Sequence, residues 1–557
     1  MLSLTKLKES QKTSAAEQPL LVVDVLAQRL AARGVRRIFG VPGGDCSLDL
    51  IGACAKIGID FILARTESAA GMMASITGEL TGAPGVLMVT RGPGLAHGMN
   101  GVAYAALDRA PLLVLADGYD SPRMDHVAHQ RYDQHAMIAP LSKGSCGLAG
   151  SDPGRDIDAL LDLASADPPG PVYIEMRGGE IRREIGAEGG PGRPAARTGT
   201  TAPAPRAALP ERAKALLAGA RHPVIVAGLQ ACDAAASAAL RKLAAGWNCP
   251  VLESYKALGT MSADDPQAVG CYTGGASDAV LLSQADLVVL YGLDAIEFPA
   301  HKWLFAGPVV EFTTHDFPRN IVQPEVSMTG PLAGFAEAAL PVVGKSAWTA
   351  DALAAARAEL KRRARADQGE GPITPQAVVD AVCAAAPPQA RIALDAGAHM
   401  LPVLHAWHAT EPRQSLISRG LATMAFALPA AIGSALAEPD RPVIAFTGDG
   451  GLMMCPGELG TAVQYGCRLV VVVFNDESLT LIEVKQRQRG FERRGLDFSP
   501  ADFAKVAEGF GCLGLRVEKP EELAPAMRRA FAHDGPVVID AVVNPHAYTA
   551  QLAALRG

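Results

Sequence analysis

The 557-residue chain holds ten cysteines, yet it has no CxxC pair and no Cys/His cluster at zinc-ligand spacing. A zinc site and a small disulfide-stapled scaffold are thereby excluded, and the cysteines read as reduced, mostly buried thiols. No apolar run approaches the length that crosses a membrane, so no membrane is expected as a partner. The net charge of −7 comes without a basic stripe interleaved with aromatics, which argues against nucleic acid. The opening stretch MLSLTKLKESQKTSAAEQP has neither a hydrophobic signal core nor an Arg-rich amphipathic pattern. Residues 1–19 are expected to be the disordered tail of a cytoplasmic protein.

What is present is a large apolar content, 49% against 20% charged, in a chain long enough for about three domains. The stretch around which the rest is organised is Pro442 to Ser478. An apolar run, Val443 to Phe446, ends in Thr447-Gly448-Asp449-Gly450-Gly451; a helical stretch follows, and a second run, Leu469 to Phe474, ends in Asn475-Asp476. Neither run alternates, which suits a parallel sheet covered on both faces. The crossover brings Asp449 and Asp476 to the same carboxyl edge, where ligands bind. Two oxygen donors beside glycines whose N–H groups approach closely suit a hard cation clamped to a diphosphate. Taken singly, Asp449 reads more readily as a helix cap and Asp476 as a turn residue; their paired spacing reverses that preference in favour of the site.

Earlier in the chain, residues 20–185 alternate helix and strand. Val22 to Ala32 has helical spacing, Arg37 to Val41 is a strand stopped by Pro42-Gly43-Gly44, and the strand Asp60 to Arg65 leads to Glu67 at a helix start. A carboxylate there is stabilised by the helix dipole whatever else it does. The strand Gly85 to Thr90 runs into Gly92-Pro93-Gly94 and Gly98, one residue too long for the dinucleotide pattern GxGxxG. Residues 186–208, rich in Gly, Pro and Ala, read as a linker. A second α/β unit spans 209–345 with strands at Pro223 to Ala227, Pro250 to Leu252, Asp286 to Tyr291 and Val309 to Phe312. Residues 346–370 read as a linking helix, with Ala350 to Ala366 helical, and 371–557 as the last domain, in which Met424 to Ala437 is expected to be helical. The predicted fold is α/β, three doubly wound parallel-sheet domains.

The Gly-Asp-Gly motif, the internal Glu458-Leu459 and the terminal Asn475-Asp476 resemble the thiamine diphosphate (ThDP) binding motif. Phe39-Gly40-Val41-Pro42-Gly43-Gly44, Arg65-Thr66-Glu67-Ser68, Gly92-Pro93-Gly94 and Gln130 through Lys143 resemble the pyrimidine-binding domain of the acetolactate synthase, pyruvate oxidase and benzoylformate decarboxylase group. The resemblance implies that Asp449, Asp476 and the carbonyl of Ser478 hold Mg2+, and that Gly448, Gly450 and Gly451 face the diphosphate. It implies that His399 reaches the diphosphate, although a merely buried histidine is an equal reading. It places Met424 as the wedge that bends the cofactor, the carbonyl of Ala422 as acceptor from its 4′-amino group, and Leu479 beside them. Glu67 would hydrogen-bond N1′ of the pyrimidine and so promote removal of the C2 proton. Relatives often carry FAD in the middle domain with an Arg-Phe-Asp-Asp-Arg signature. Gly292-Leu293-Asp294-Ala295 stands here instead, so FAD is not expected.

The activity implied is decarboxylation of a 2-oxo acid with transfer of the resulting enamine, an acyl anion equivalent, to a carbonyl acceptor. The alternatives are a non-ligating 2-oxo acid decarboxylase, a ThDP-dependent C–C lyase or hydrolase, and an inactive ThDP-binding paralogue. Acetolactate synthases carry Gly and Trp where Thr480 and Lys485 stand, and Asn at the position of His97. His97 and Gln130 are candidate catalytic residues beside Glu67, and Gly44, His129, Arg131, Ile482 and Lys485 candidate substrate residues, together a cationic surround for an anionic 2-oxo acid. A homodimer with Glu67 acting across the interface, or a homotetramer, follows from the same resemblance.

Overall fold

The computed structural model describes residues 19–120, 128–185, 208–298, 303–319, 321–365 and 373–556. The expected tail and the linker 186–208, apart from Gln18's neighbour Pro19 and Ala208, lie outside the described residues, as do residues 366–370 of the linking segment. Three six-stranded sheets follow one another along the chain, and every paired strand in them is parallel.

The first sheet comprises β1 (Arg37–Val41), β2 (Asp60–Leu63), β3 (Gly85–Val89), β4 (Leu112–Asp117), β5 (Ser145–Cys146) and β6 (Pro171–Met176), in the order β2-β1-β3-β4-β6-β5. The second comprises β7 (Pro223–Ala227), β8 (Val251–Glu253), β9 (Ala268–Cys271), β10 (Leu287–Tyr291), β11 (Val309–Thr313) and β12 (Val326–Thr329), in the order β12-β11-β10-β7-β8-β9. The third comprises β13 (Arg391–Leu394), β14 (Ser415–Ile417), β15 (Val443–Gly448), β16 (Leu469–Asn475), β17 (Leu513–Val517) and β18 (Val537–Val542), in the order β14-β13-β15-β16-β18-β17. The outer two sheets therefore share one topology, and the middle one has the strand order of dinucleotide-binding sheets. The central strands are buried throughout, β3, β7, β10 and β16 without a single exposed residue, as their unbroken apolar runs require.

One apolar core runs from the first domain into the last, with Phe39, Met73 and Tyr104 in the same cluster as Phe426, Ala431 and Val471. Its seam is the packing of helix Glu67–Thr81 on helix Ala427–Ala437, where a Cβ at Gly433 would lie 2.7 Å from the Met73 carbonyl oxygen. Eight of the ten cysteines are buried and none forms a disulfide.

Three expectations are corrected. The helix expected from Met424 begins at Ala427, because Ala422 and Ala425 both take left-handed φ values, 53° and 59°, and keep the preceding residues out of the helix. The helical stretch after the Gly-Asp-Gly turn is two helices, Asp449–Met454 and Glu458–Gln464, interrupted at Pro456. The middle sheet has two strands beyond the four expected. β9 was hidden by Gly270 at a register shift, and β12 by its short, half-exposed edge pattern.

Candidate active site

β15 and β16 run in register with Gly448 beside Phe474, so the two strands release Asp449 and Asp476 at one level of the carboxyl edge. Asp449 is buried at the first turn of its helix; Oδ1 accepts from Gly450 N at 2.6 Å and Oδ2 from Asp476 N at 3.2 Å. Asp476 Oδ1 accepts from Ser478 N at 3.2 Å, and Oδ2 from Thr480 Oγ1 at 2.7 Å. Burial, with the negative charge of Asp449 adding to it, pushes the Asp476 carboxyl up to about 7. Burial likewise raises Asp449. Two carboxylates forced together out of water, with too few cationic partners, make a donor set that a divalent cation relieves. Among the described residues no group of three or more His, Cys, Asp and Glu is placed to hold a metal, so a cation at this pair would need further ligands that are not such side chains.

The pair opens into a cavity of about 300 Å³ whose wall includes His399, Ala422, Met424, Leu479, Ile482 and Lys485. His399 is 5% exposed, stacks on Phe474 with ring centroids 5.3 Å apart, and its buried Nε2 has no hydrogen-bond partner. Burial pulls the ring down to about 4, so it is neutral near pH 7. The glycines between these groups are there for room. A Cβ on Gly451 would fall 2.1 Å from Asp395 Oδ2, and one on Gly450 3.1 Å from Met424 Cε. An orphaned polar nitrogen, a strained carboxylate pair and bare backbone thus converge on one space, which fits a diphosphate and its metal.

The loop bearing Ala422 and Met424 is held from two sides by carboxylates that sequence reasoning missed. Asp395, at the end of β13, accepts from Ala425 N at 3.2 Å, from Phe426 N and Ala427 N at 2.7 Å, and from Thr447 Oγ1 at 2.6 Å. Asp108, fully buried in the first domain, accepts from Arg419 N, Gly420 N and Leu421 N at 2.7, 3.0 and 3.2 Å, and from Lys256 Nζ of the middle domain at 3.2 Å. The signal for Asp395 was its place directly after a strand; nothing local marks Asp108, whose backbone partners at 419–421 lie more than 300 residues away and whose Lys256 partner lies 148 away. Glu458 was noted only as part of a motif. Its carboxylate accepts from Arg65 N and Thr66 N and so docks the last domain against the Glu67 helix start.

Glu67 opens helix Glu67–Thr81, whose N-cap Thr66 accepts from Ala69 N. It is paired with His97, Nδ1 lying 2.7 Å from Oε2. Gln130, at φ 55°, and Arg131 line a different cavity, about 560 Å³, with Arg91 and Arg177. His129 is exposed, and its carbonyl accepts from Tyr119 O–H at 2.8 Å. Gly44 is exposed with open space beside it. Every residue lining the Asp449 cavity belongs to the last domain. A single chain therefore brings together His399, Ala422, Met424, Gly448 to Gly451, Asp476, Ser478, Leu479, Ile482 and Lys485, but not Glu67, His97, Gln130, His129, Arg131 or Gly44.

The crevice of the middle sheet, where β7 and β10 diverge, is filled by the chain itself. A Cβ on Gly228 would fall 2.3 Å from Leu293 Cα and 2.5 Å from Glu297 Oε2, while Glu297 accepts from Leu229 N at 2.7 Å and Asp294 N at 2.9 Å. Burial alone would raise Asp294, but His315 at 3.3 Å and the Arg109 guanidinium at 3.1 Å hold its carboxyl well below the usual range.

The fold and the carboxylate cavity define a three-domain cofactor-dependent enzyme, and comparison with known proteins specifies which. Residues 21–137 match the thiamine pyrophosphate enzyme N-terminal TPP binding domain, 210–353 the central domain, and 395–541 the C-terminal TPP binding domain. The chain belongs to the thiamine pyrophosphate enzymes and is acetolactate synthase-like. An acetolactate synthase of Bacillus subtilis is 28% identical over 97% of this chain and 96% of its own length. A catabolic acetolactate synthase of Raoultella terrigena is 28% identical over 93% and 94%. A probable 2-ketoarginine decarboxylase of Pseudomonas aeruginosa is 28% identical over 96% and 94%.

Proposed function

We propose that the protein catalyses ThDP- and Mg2+-dependent decarboxylation of a 2-oxo acid and transfers the acyl anion equivalent to a carbonyl acceptor. The observation that carries this reading is the convergence of the Asp449 and Asp476 carboxylates with the unpartnered His399 Nε2 on one glycine-lined cavity. Asp449, Asp476 and the Ser478 carbonyl hold the metal. Gly448, Gly450 and Gly451 present backbone to the diphosphate, to which His399 donates from Nε2. The Ala422 carbonyl would accept a hydrogen bond from the 4′-amino group, and Met424, on a loop fixed by Asp395 and Asp108, would set the bend. Bound there, ThDP supplies a carbon nucleophile and an electron sink for the carboxylate that leaves. Glu67 shares a proton with the pyrimidine ring nitrogen, which is how the chain controls formation of that nucleophile.

Glu67 and the diphosphate cradle do not line one cavity in a single chain, which supports a homodimer or a dimer of dimers in which one copy supplies Glu67 to the other's cradle. Lys485 and Ile482 on one side, with Gln130, His129, Arg131 and Gly44 on the other, would then bound the substrate. The filled crevice of the middle sheet supports a reading without FAD. A non-ligating decarboxylase is the second reading, favoured by Lys485 and Thr480 standing where acetolactate synthases carry Trp and Gly, and by the similarity to a probable 2-ketoarginine decarboxylase. The test is carbon dioxide release, with NMR identification of products, from pyruvate and larger or dianionic 2-oxo acids in the presence of ThDP and Mg2+. Release with a new carbon–carbon bond supports ligation. Release of aldehyde alone moves the assignment to the decarboxylase, and no release from any donor defeats both.

A further inference from the structure

Glu67 lies in a groove on helix Pro93–Leu107 formed by two glycines one turn apart. A Cβ on Gly94 would be 3.5 Å from Glu67 Oε1, and one on Gly98 would be 3.6 Å from Glu67 Cβ. His97, between them in sequence, places Nδ1 2.7 Å from Oε2. Backbone fixes this pair: Ser68 Oγ donates to the His97 carbonyl, and one turn further on a Cβ at Gly71 would lie 2.9 Å from Gly101 Cα. The close crossing of the two helices therefore fixes the backbone positions from which the imidazole and carboxylate meet.

A carboxylate accepts, so Nδ1 carries the proton. Nε2 then has no protein partner among the described residues, on a ring that is 57% exposed, whereas the Glu67 side chain is only 12% exposed. With Oε2 taken by His97, the oxygen beside Gly94 is the one left to present to a ligand. Relatives of the acetolactate synthase kind place Asn where His97 stands; an amide can hold the carboxylate but cannot pass a proton through itself.

We propose that His97 is the positioning residue and proton relay of Glu67. Its Nδ1–H fixes the carboxylate so that Oε1 is presented. When Nε2 takes a proton from water, Nδ1 gives its own to Oε2, and the reverse transfer returns it, so the imidazole ends each cycle neutral and no other reactant is needed. The proposal rests on the ThDP reading for its catalytic consequence but not for the contact itself.

Two measurements separate these layers. In the free protein, the 15N shifts of the histidine rings report the tautomer; His97 is expected in the Nδ1–H form in the wild type and as a mixture in Glu67→Ala. In the loaded protein, exchange of the cofactor C2 proton for deuterium is followed by quenched NMR, with the ThDP dissociation constant measured by calorimetry. Both His97→Ala and His97→Asn are expected to slow exchange by about 10²-fold, with ThDP affinity changed by less than about threefold. Added imidazole is expected to restore exchange in His97→Ala. Exchange at the wild-type rate in His97→Ala, or slow exchange that imidazole does not restore, overturns the relay. A wild-type tautomer that does not depend on Glu67 overturns the contact. Failure of the wild type to bind ThDP defeats the cofactor assignment instead, and the free-protein spectra still decide the contact.

Discussion

The first and last domains share one strand order and use it differently. In the last domain the carboxyl edge closes around a cavity, and the residues proposed to hold the cofactor are buried. Asp449 is 4% exposed, His399 5%, and His399 Nε2 at the cavity wall lacks a partner. In the first domain the equipment sits at a helix start on an open face. Glu67 already has a partner in His97, whose ring is half in solvent. The contrast teaches that a doubly wound sheet fixes where a ligand edge lies but not what is done there. One half is an electrostatically frustrated pair of buried carboxylates on a cavity, and the other is a single carboxylate that does not line that cavity. The middle domain gives a third outcome, with a dinucleotide strand order whose crevice is closed by Asp294 and Glu297.

Removing the frustration in the last domain should have the largest effect. Asp449→Asn is expected to weaken Mg2+-dependent ThDP binding by at least about 10²-fold and to abolish turnover, as calorimetry and carbon dioxide release will show. Retained affinity would contradict the cradle assignment. In the first domain, Glu67→Gln is expected to cost about 10²- to 10⁴-fold in turnover while leaving ThDP affinity within reach of wild type. A parallel loss of affinity would mean that the two halves do not divide binding and activation as described.

Two further variants compare the middle and last domains through stability. Arg109→Ala leaves the buried Asp294 carboxylate without its guanidinium partner, and is expected to destabilise by about 3–5 kcal/mol, read as a fall in Tm with no change in ThDP affinity. His399 gives a smaller, pH-dependent effect. Its folded pKa of about 4 lies below the ordinary histidine value, so between about pH 6.5 and 4 the unfolded chain binds a proton that the folded one does not. Stability contributed by the neutral ring is therefore present above pH 6.5 and lost as pH falls to 4, by about 3 kcal/mol. Scanning calorimetry of the cofactor-free protein should show a shallower loss of Tm toward acid for His399→Phe than for the wild type; parallel slopes would contradict the burial of a neutral His399.

Much of this was legible in the chain because it was local. Two unbroken apolar runs ending in Gly448-Asp449-Gly450 and Asn475-Asp476 state both the parallel sheet and the edge at which the carboxylates meet. Glu67 at a helix start was legible as a position, and its role came only with the family resemblance. What was not legible depends on distant contacts. Asp108 reaches residues 419–421 across the domain seam, and no spacing in the sequence announces it. The start of the wedge helix was misplaced because left-handed φ values at Ala422 and Ala425, on a loop held by Asp108 at one end and Asp395 at the other, run against alanine's own preference. The His97–Glu67 pair spans thirty positions and depends on the glycine-to-glycine crossing of two helices.

The most direct test of the account is complementation between two inactive chains. Glu67→Gln and Asp449→Asn chains are co-expressed with different tags, and mixed oligomers are isolated and assayed for ThDP-dependent carbon dioxide release. If Glu67 of one copy serves the cradle of another, a mixed dimer has one intact site and one doubly defective one, and the isolated mixed dimers recover roughly half of wild-type activity. If the mixed oligomers stay as inactive as either parent, Glu67 and Asp449 act within one chain, and the division of labour drawn here between the two domains is wrong.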